Sequence, residues 1–109
     1  MKNKINAHKN ILSLIGDTPL VKLNRVTNSL DGSFYAKYEA MNPGQSNKDR
    51  IALHIIESAE KKGLIDNNTT IIETTSGNTG FSLSMVSMVK GYKCIVAVSS
   101  KSSPDKIDM

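Results

Sequence analysis

Apolar residues recur along this chain with two alternating periods, one of strands and one of helices. Leu20-Val21-Lys22-Leu23 reads as a short strand, and Phe34-Tyr35-Ala36-Lys37-Tyr38-Glu39-Ala40 has the aromatic content and partial alternation of a second. Ile51, Ile55 and Ala59, with Ala52 and Ile56 alongside, place one apolar stripe on a helix over 47–62. Glu57, Glu60 and Lys61 are expected to face water, and Gly63 to cap the end. Thr69-Thr70-Ile71-Ile72-Glu73 predicts a third strand, 78–90 a second helix ending at Gly91, and 92–98 a last strand. Phe81, Met85, Met88 and Val89 read as core, and Ser82, Ser84 and Ser87 as small contacts against a neighbouring element. Ser103-Pro104 opens another helix, with Ser103 as N-cap and Pro104 at its first position, shortly before Met109.

This order of elements divides the chain into an arm with a short strand over 1–33 and an α/β domain over 34–109. Strand, helix, strand, helix, strand at this spacing predicts two βαβ units and therefore an open parallel sheet. The loops after Ala40 and after Glu73 then leave the sheet at one carboxyl edge, the edge at which open α/β sheets bind ligands. Parallel sheets are covered on both faces. Two helices and a stub leave one face bare, so the domain is expected to be truncated and marginally stable by itself.

Composition narrows the function classes. The 109 residues are 39% hydrophobic and 22% charged, which is globular, and only 5% aromatic with no Trp, so the core must be aliphatic. The net charge of +4 can favour a small anion but carries no nucleic-acid reader motif. One cysteine, Cys94, and two histidines, His8 and His54, make neither an internal disulfide nor a metal set. No apolar run of membrane-spanning length and no signal-peptide core is present, so a cytoplasmic setting without a membrane partner is expected.

Two segments carry candidate chemistry. In Asn42-Pro43-Gly44-Gln45-Ser46-Asn47-Lys48-Asp49-Arg50, Ser46 and Asp49 have capping-box spacing, with Ser46 as N-cap and Lys48 in the first helical turn. The positive end of a helix disfavours a cation, and Arg50 adds a second like charge. An amine kept there either snorkels into solvent or serves as a nucleophilic or Schiff-base group. The second segment is Thr74-Thr75-Ser76-Gly77-Asn78-Thr79-Gly80, where free amides at a helix start, four hydroxyls and an amide suit a carboxylate or phosphate. Taken alone it reads first as an ordinary strand-to-helix turn rich in capping residues. It has neither a dinucleotide nor a P-loop glycine pattern.

These segments, together with Ile15-Gly16-Asp17-Thr18-Pro19-Leu20-Val21-Lys22-Leu23, resemble the N-terminal third of the pyridoxal-phosphate-dependent cysteine synthase and cystathionine β-synthase family, of fold-type II. The resemblance implies part of that family's small N-terminal α/β domain. It implies that Lys48 forms the Schiff-base link to pyridoxal 5'-phosphate and shuttles the α-proton, and that Asn78 bonds the cofactor's ring hydroxyl. It implies that Thr75, Ser76, Gly77, Asn78 and Thr79 grip the carboxylate of a small amino-acid substrate. The implied reaction is β-replacement in sulfur amino-acid metabolism: O-acetylserine plus sulfide to cysteine, or the cystathionine β-synthase reaction. Full-length members are implied to be homodimers. Thr74 and Asn47 depart from the family's common residues without removing a functional group. The family's glycine-rich phosphate loop has no counterpart here, so these residues alone are expected to be inactive. The alternative is a non-catalytic interaction module, or a fragment that complements a partner chain.

Overall fold

A computed structural model of the chain describes residues 7–75 and 77–99. A 3-10 turn, Ile11–Leu14, precedes strands β1, Leu20–Leu23, and β2, Phe34–Lys37. A second 3-10 turn, Glu39–Met41, leads to helix α1, Lys48–Lys61. Strand β3, Thr70–Thr74, helix α2, Asn78–Lys90, and strand β4, Lys93–Ala97, complete the described order. Ser76 and the helix expected from Ser103 lie outside the described residues.

Both helices stop where their glycines predict. Gly63 takes φ +66° just after α1, and the Leu64 N–H reaches back to the Ala59 carbonyl at 2.9 Å. Gly91 takes φ +83° at the end of α2, where the Tyr92 N–H bonds the Ser87 carbonyl at 2.9 Å. A left-handed residue there lets the chain turn back and satisfy carbonyls that the helix leaves open.

The single parallel sheet expected from the sequence does not form among the described residues. They make two separate two-stranded sheets instead. β1 and β2 pair antiparallel, from Leu20↔Lys37 to Leu23↔Phe34. The reason is the connection: residues 24–33 hold no crossover helix, and strands joined that way return antiparallel. The β3–α2–β4 segment is the one parallel unit, in register from Thr70↔Lys93 to Thr74↔Ala97. No described helix is long and apolar enough to cross a membrane.

The core lies between the helices. Ala52 and Ile56 of α1 and Leu83 and Val86 of α2 are buried together with Leu12 of the first turn. This corrects the expected stripe on α1. Ile51 and Ile55 are exposed at 44% and 52%, because α2 packs on the side of Asp49, Ala52 and Ile56. On α2, Met88 is exposed at 74%, whereas Ser82 and Ser87 are fully buried, so the small-contact reading of these serines holds. Small residues let the helices approach closely. Glu60 does not simply face water: it takes an ion pair from Lys90 at 2.8 Å and a hydrogen bond from the Tyr92 hydroxyl at 3.0 Å. That pairing holds the Glu60 carboxyl below its ordinary range and raises Lys90, while burial first and Glu60 second push the Tyr92 hydroxyl up.

In urea unfolding of this chain, Ile56→Ala is expected to cost about 3 kcal/mol, through lost burial and a residual cavity. Ile55→Ala should cost less than about 1 kcal/mol. Equal losses would place the helix interface on the wrong stripe. Ser87 Oγ is buried without a hydrogen-bond partner among the described residues. Ser87→Ala should therefore leave the midpoint unchanged or raise it, by up to about 1 kcal/mol.

Candidate active site

Lys48 is the first residue of α1. The Ser46 hydroxyl oxygen accepts its backbone N–H at 3.2 Å, so Ser46 caps the turn although Asn47 occupies the N-cap position. Lys48 is half-buried as a residue, and its ammonium donates to Asn47 Oδ1 at 3.3 Å in an exposed hydrogen bond. No ion pair to Lys48 occurs among the described residues.

The capping box proper does not close. Asp49 turns inward and is fully buried. One carboxylate oxygen, Oδ2, accepts the Gly44 N–H at 2.5 Å, and the other, Oδ1, accepts the Ser82 hydroxyl at 2.5 Å. Gly44 is required for this approach, because a Cβ at that position would run into the Asp49 carboxylate. Capping-box spacing therefore picked out the right acid and gave it the wrong partner. Nothing in the local sequence couples residue 49 to residue 82.

Arg50 does not add an unpaired like charge beside Lys48. Its Nε donates to Glu39 Oε2 at 2.8 Å, and its Nη2 reaches Glu39 Oε1 at 3.1 Å and Thr18 Oγ1 at 3.0 Å. The Thr18 hydroxyl donates to Glu39 Oε1 at 2.6 Å, and Asn42 Nδ2 donates to Glu39 Oε2 at 3.0 Å. Asn42 Oδ1 then accepts the Gly16 N–H at 2.9 Å, where Gly16 and Asp17 take φ +103° and +45°. Sequence reasoning missed Glu39, Thr18 and Asn42 as one unit, since their spacing matches no local period. The available signal was the turn residues Gly16-Asp17-Thr18-Pro19.

The second loop joins β3 to α2. The Thr75 N–H donates to the Ala97 carbonyl at 3.1 Å, and Thr75 Oγ1 accepts the Gly77 N–H at 3.3 Å. Gly77 is the N-cap of α2, and among the described residues no side chain caps this helix. Asn78 is exposed in the first turn, and Thr79 beside it is half-buried. Gly80 packs against the sheet so closely that a Cβ would lie 2.8 Å from Val96 Cγ1. Open first-turn amides and a positive helix end favour an anion at this place.

The two segments are not joined across one sheet edge, as expected from the sequence, because β2 and β3 belong to different sheets. A pair of parallel helices relates them instead. Asp49, one residue after Lys48, is bonded to Ser82, four residues after Asn78. Glu60, near the other end of α1, is paired with Lys90, the last residue of α2. The helices thus run in the same direction with their N-terminal turns at one end. Among the described residues no hydrogen bond joins the Lys48 amine to Thr75, Gly77, Asn78 or Thr79.

Comparison with known proteins places the chain in context. The profile of a family described as pyridoxal-phosphate dependent enzymes matches residues 11–109. The chain is 52% identical over 99 residues to a cystathionine beta-synthase of Apis mellifera, covering 89% of this chain and 20% of that protein. It is 54% identical over 90 residues to a cysteine synthase of a Flavobacterium species, covering 83% of this chain and 29% of that protein. The fold is similar to a hydrogen sulfide-producing enzyme from Fusobacterium nucleatum, with a TM-score of 0.88 and 48% identity over 94% of this chain and 33% of that one. The chain therefore spans between a fifth and a third of the length of these relatives.

Glu39 sets an acid limit on the lysine-bearing turn. Hydrogen bonds from Arg50, then Thr18, hold its carboxyl at about 2, against 4.5 for the free group. A folded carboxyl with a lowered value stabilises fully above pH 4.5, and that contribution is lost as pH falls towards about 2. Acid unfolding followed by circular dichroism should show this loss in the unsubstituted chain, and a flatter profile between those values in Glu39→Gln. Superimposable profiles would remove Glu39 from the account.

Proposed function

The chain belongs to the family of pyridoxal-phosphate dependent enzymes, and we propose that it carries the lysine and the substrate loop of a β-replacing member acting in sulfur amino-acid metabolism. The reaction class is replacement of a leaving group on the β-carbon of a serine-type amino acid by sulfide or a thiol, as in cysteine synthases or cystathionine β-synthases. The observation that carries the reading is the Asp49–Ser82 hydrogen bond, which fixes the Lys48 turn against the first turns of α2.

The donor set fits the cofactor. An amine without an acidic partner among the described residues, at 3.3 Å from a neutral amide oxygen, suits an aldehyde. A helix start with no side-chain cap among the described residues, flanked by Thr75, Thr79 and Asn78, suits an anionic or hydroxyl-bearing group. Pyridoxal phosphate supplies the electron sink when bound. Lys48 would hold the cofactor through its amine, and that amine, once the substrate's amino group has displaced it, would take the α-proton of the amino acid. Asn78 would orient the cofactor ring through its side-chain amide. Thr75, Gly77, Asn78 and Thr79, with Ser76 between them, hold the substrate carboxylate and keep the β-carbon in place for the incoming sulfur.

These 109 residues do not complete the reaction alone in this reading, since they span 20% to 33% of the relatives' length. A second reading, a module that completes a partner chain, is favoured by a face of the β3–β4 sheet that the described residues leave uncovered. There Ile72 and Ile95 stand opposite each other, exposed at 68% and 55%.

The test is chemical. After incubation of the full-length protein with pyridoxal phosphate and reduction with borohydride, peptide mass analysis should find the added mass on Lys48. Lys48→Ala should abolish that label and lower β-replacement by about 10³-fold or more, a typical loss for a proton-transfer group. Label elsewhere, or turnover that survives the substitution, would overturn the proposal. A label without β-replacement would favour the second reading.

A further inference from the structure

Asp49 has a combination of properties that helix stability does not explain. It is fully buried, and no cation pairs with it among the described residues. Removing a carboxylate from water is expensive, and an apolar side chain at this position would extend the Ala52–Ile56 stripe at no such cost. The structure compensates in three ways. Gly44 donates its N–H to one oxygen, Ser82 donates its hydroxyl to the other, and the positive start of α1 favours an acid in its first turn. Each compensation ties down a different segment: the loop before Lys48, the first turns of α2, and the turn that carries Lys48 itself.

Ser82 is also fully buried and bonded to this carboxylate. At this end of the helix pair the register of α2 on α1 rests on that bond, with Leu83, Val86, Ala52 and Ile56 packed beyond it. Apolar contacts are non-directional and tolerate sliding, whereas two 2.5 Å hydrogen bonds to one carboxylate fix both distance and angle.

We infer that Asp49 is a positioning residue: its carboxylate, bridging the Gly44 amide and the Ser82 hydroxyl, sets the register between the Lys48 amine and the 75–79 loop. It touches neither cofactor nor substrate. The inference rests on the roles proposed for Lys48 and that loop. Its physical basis is that misplacing a reacting group by about 1 Å costs on the order of 10²-fold in rate.

The decisive variants are Ser82→Ala and Asp49→Asn, made in the full-length protein. Ser82→Ala removes the bond between the helices and leaves the Gly44–Asp49 bond intact. Asn at 49 has the same shape: its Oδ1 can accept the Gly44 N–H, and its amide can donate to a Ser82 hydroxyl turned round to accept. Ser82→Ala should keep the borohydride-trapped label on Lys48 at the unsubstituted stoichiometry. It should raise KM for the amino-acid substrate about tenfold, more than it lowers kcat. Amide hydrogen exchange should quicken in residues 77–82 and stay unchanged around Ile56 and Val86. Asp49→Asn should keep all three readouts within about threefold of the unsubstituted protein. A Ser82→Ala protein with unchanged KM and exchange, differing only in Tm, would make the bond merely structural and overturn the inference. An Asp49→Asn protein as impaired as Ser82→Ala would show that charge, not geometry, is what matters, and would overturn it as well. Absence of label on Lys48 in the unsubstituted protein would instead bring down the site reading, and this inference with it.

Discussion

A buried carboxylate is the constraint around which this structure is organised. Asp49 cannot stay out of water unless both of its oxygens are bonded, and its two partners come from segments far apart in sequence. Satisfying it brings the Gly44 loop, the start of α1 and the start of α2 to one point. At the opposite end of the same interface, Glu60 collects Lys90 and Tyr92. Ala52, Ile56, Leu83 and Val86 fill the space between these polar clamps. The clamps contribute direction where the apolar residues contribute burial, and together they make the helices parallel and in register.

A second polar cluster does for the β1–β2 sheet what Asp49 does for the helices. Glu39 gathers Arg50, Thr18 and Asn42, and so fastens the turns on either side of that hairpin to the first turn of α1. The charge of Arg50 is thereby offset by an adjacent carboxylate. Lys48, two residues away, keeps among the described residues only the neutral Asn47 amide oxygen as a side-chain partner. Position alone made Lys48 and Arg50 look like two like charges at a helix start. Packing separates them into one structural cation and one amine that remains open to chemistry.

Local rules explain what could be read from the sequence. Helix ends followed from Gly63 and Gly91, whose left-handed conformations need no long-range information. Strand positions followed from β-branched and aromatic runs, and the segments around Lys48 and Asn78 stood out through their combination, since a lysine or a glycine-containing turn at a helix start has an ordinary structural use when taken alone. Partners were the part that could not be read. The Ser46–Asp49 spacing is the same whether the acid caps its own helix or reaches Ser82 on another. Likewise Ile51–Ile55 and Ala52–Ile56 are both acceptable stripes for a single helix, and only the presence of α2 decides between them.

By itself the sequence determined where the helices end, which segments hold strands and which residues have chemistry to offer, because propensity, capping and turn conformation act over a few residues. It ran the second strand on to Ala40, where the structure ends it at Lys37 and forms a 3-10 turn over Glu39–Met41. The tertiary structure alone decided that β1 and β2 form their own antiparallel sheet, that α1 and α2 lie parallel, and that Asp49 and Ser82 relate the lysine to the loop. The physical reason is range. A backbone turn is settled by neighbours, whereas a buried charge is settled by whichever donors the whole fold can bring to it.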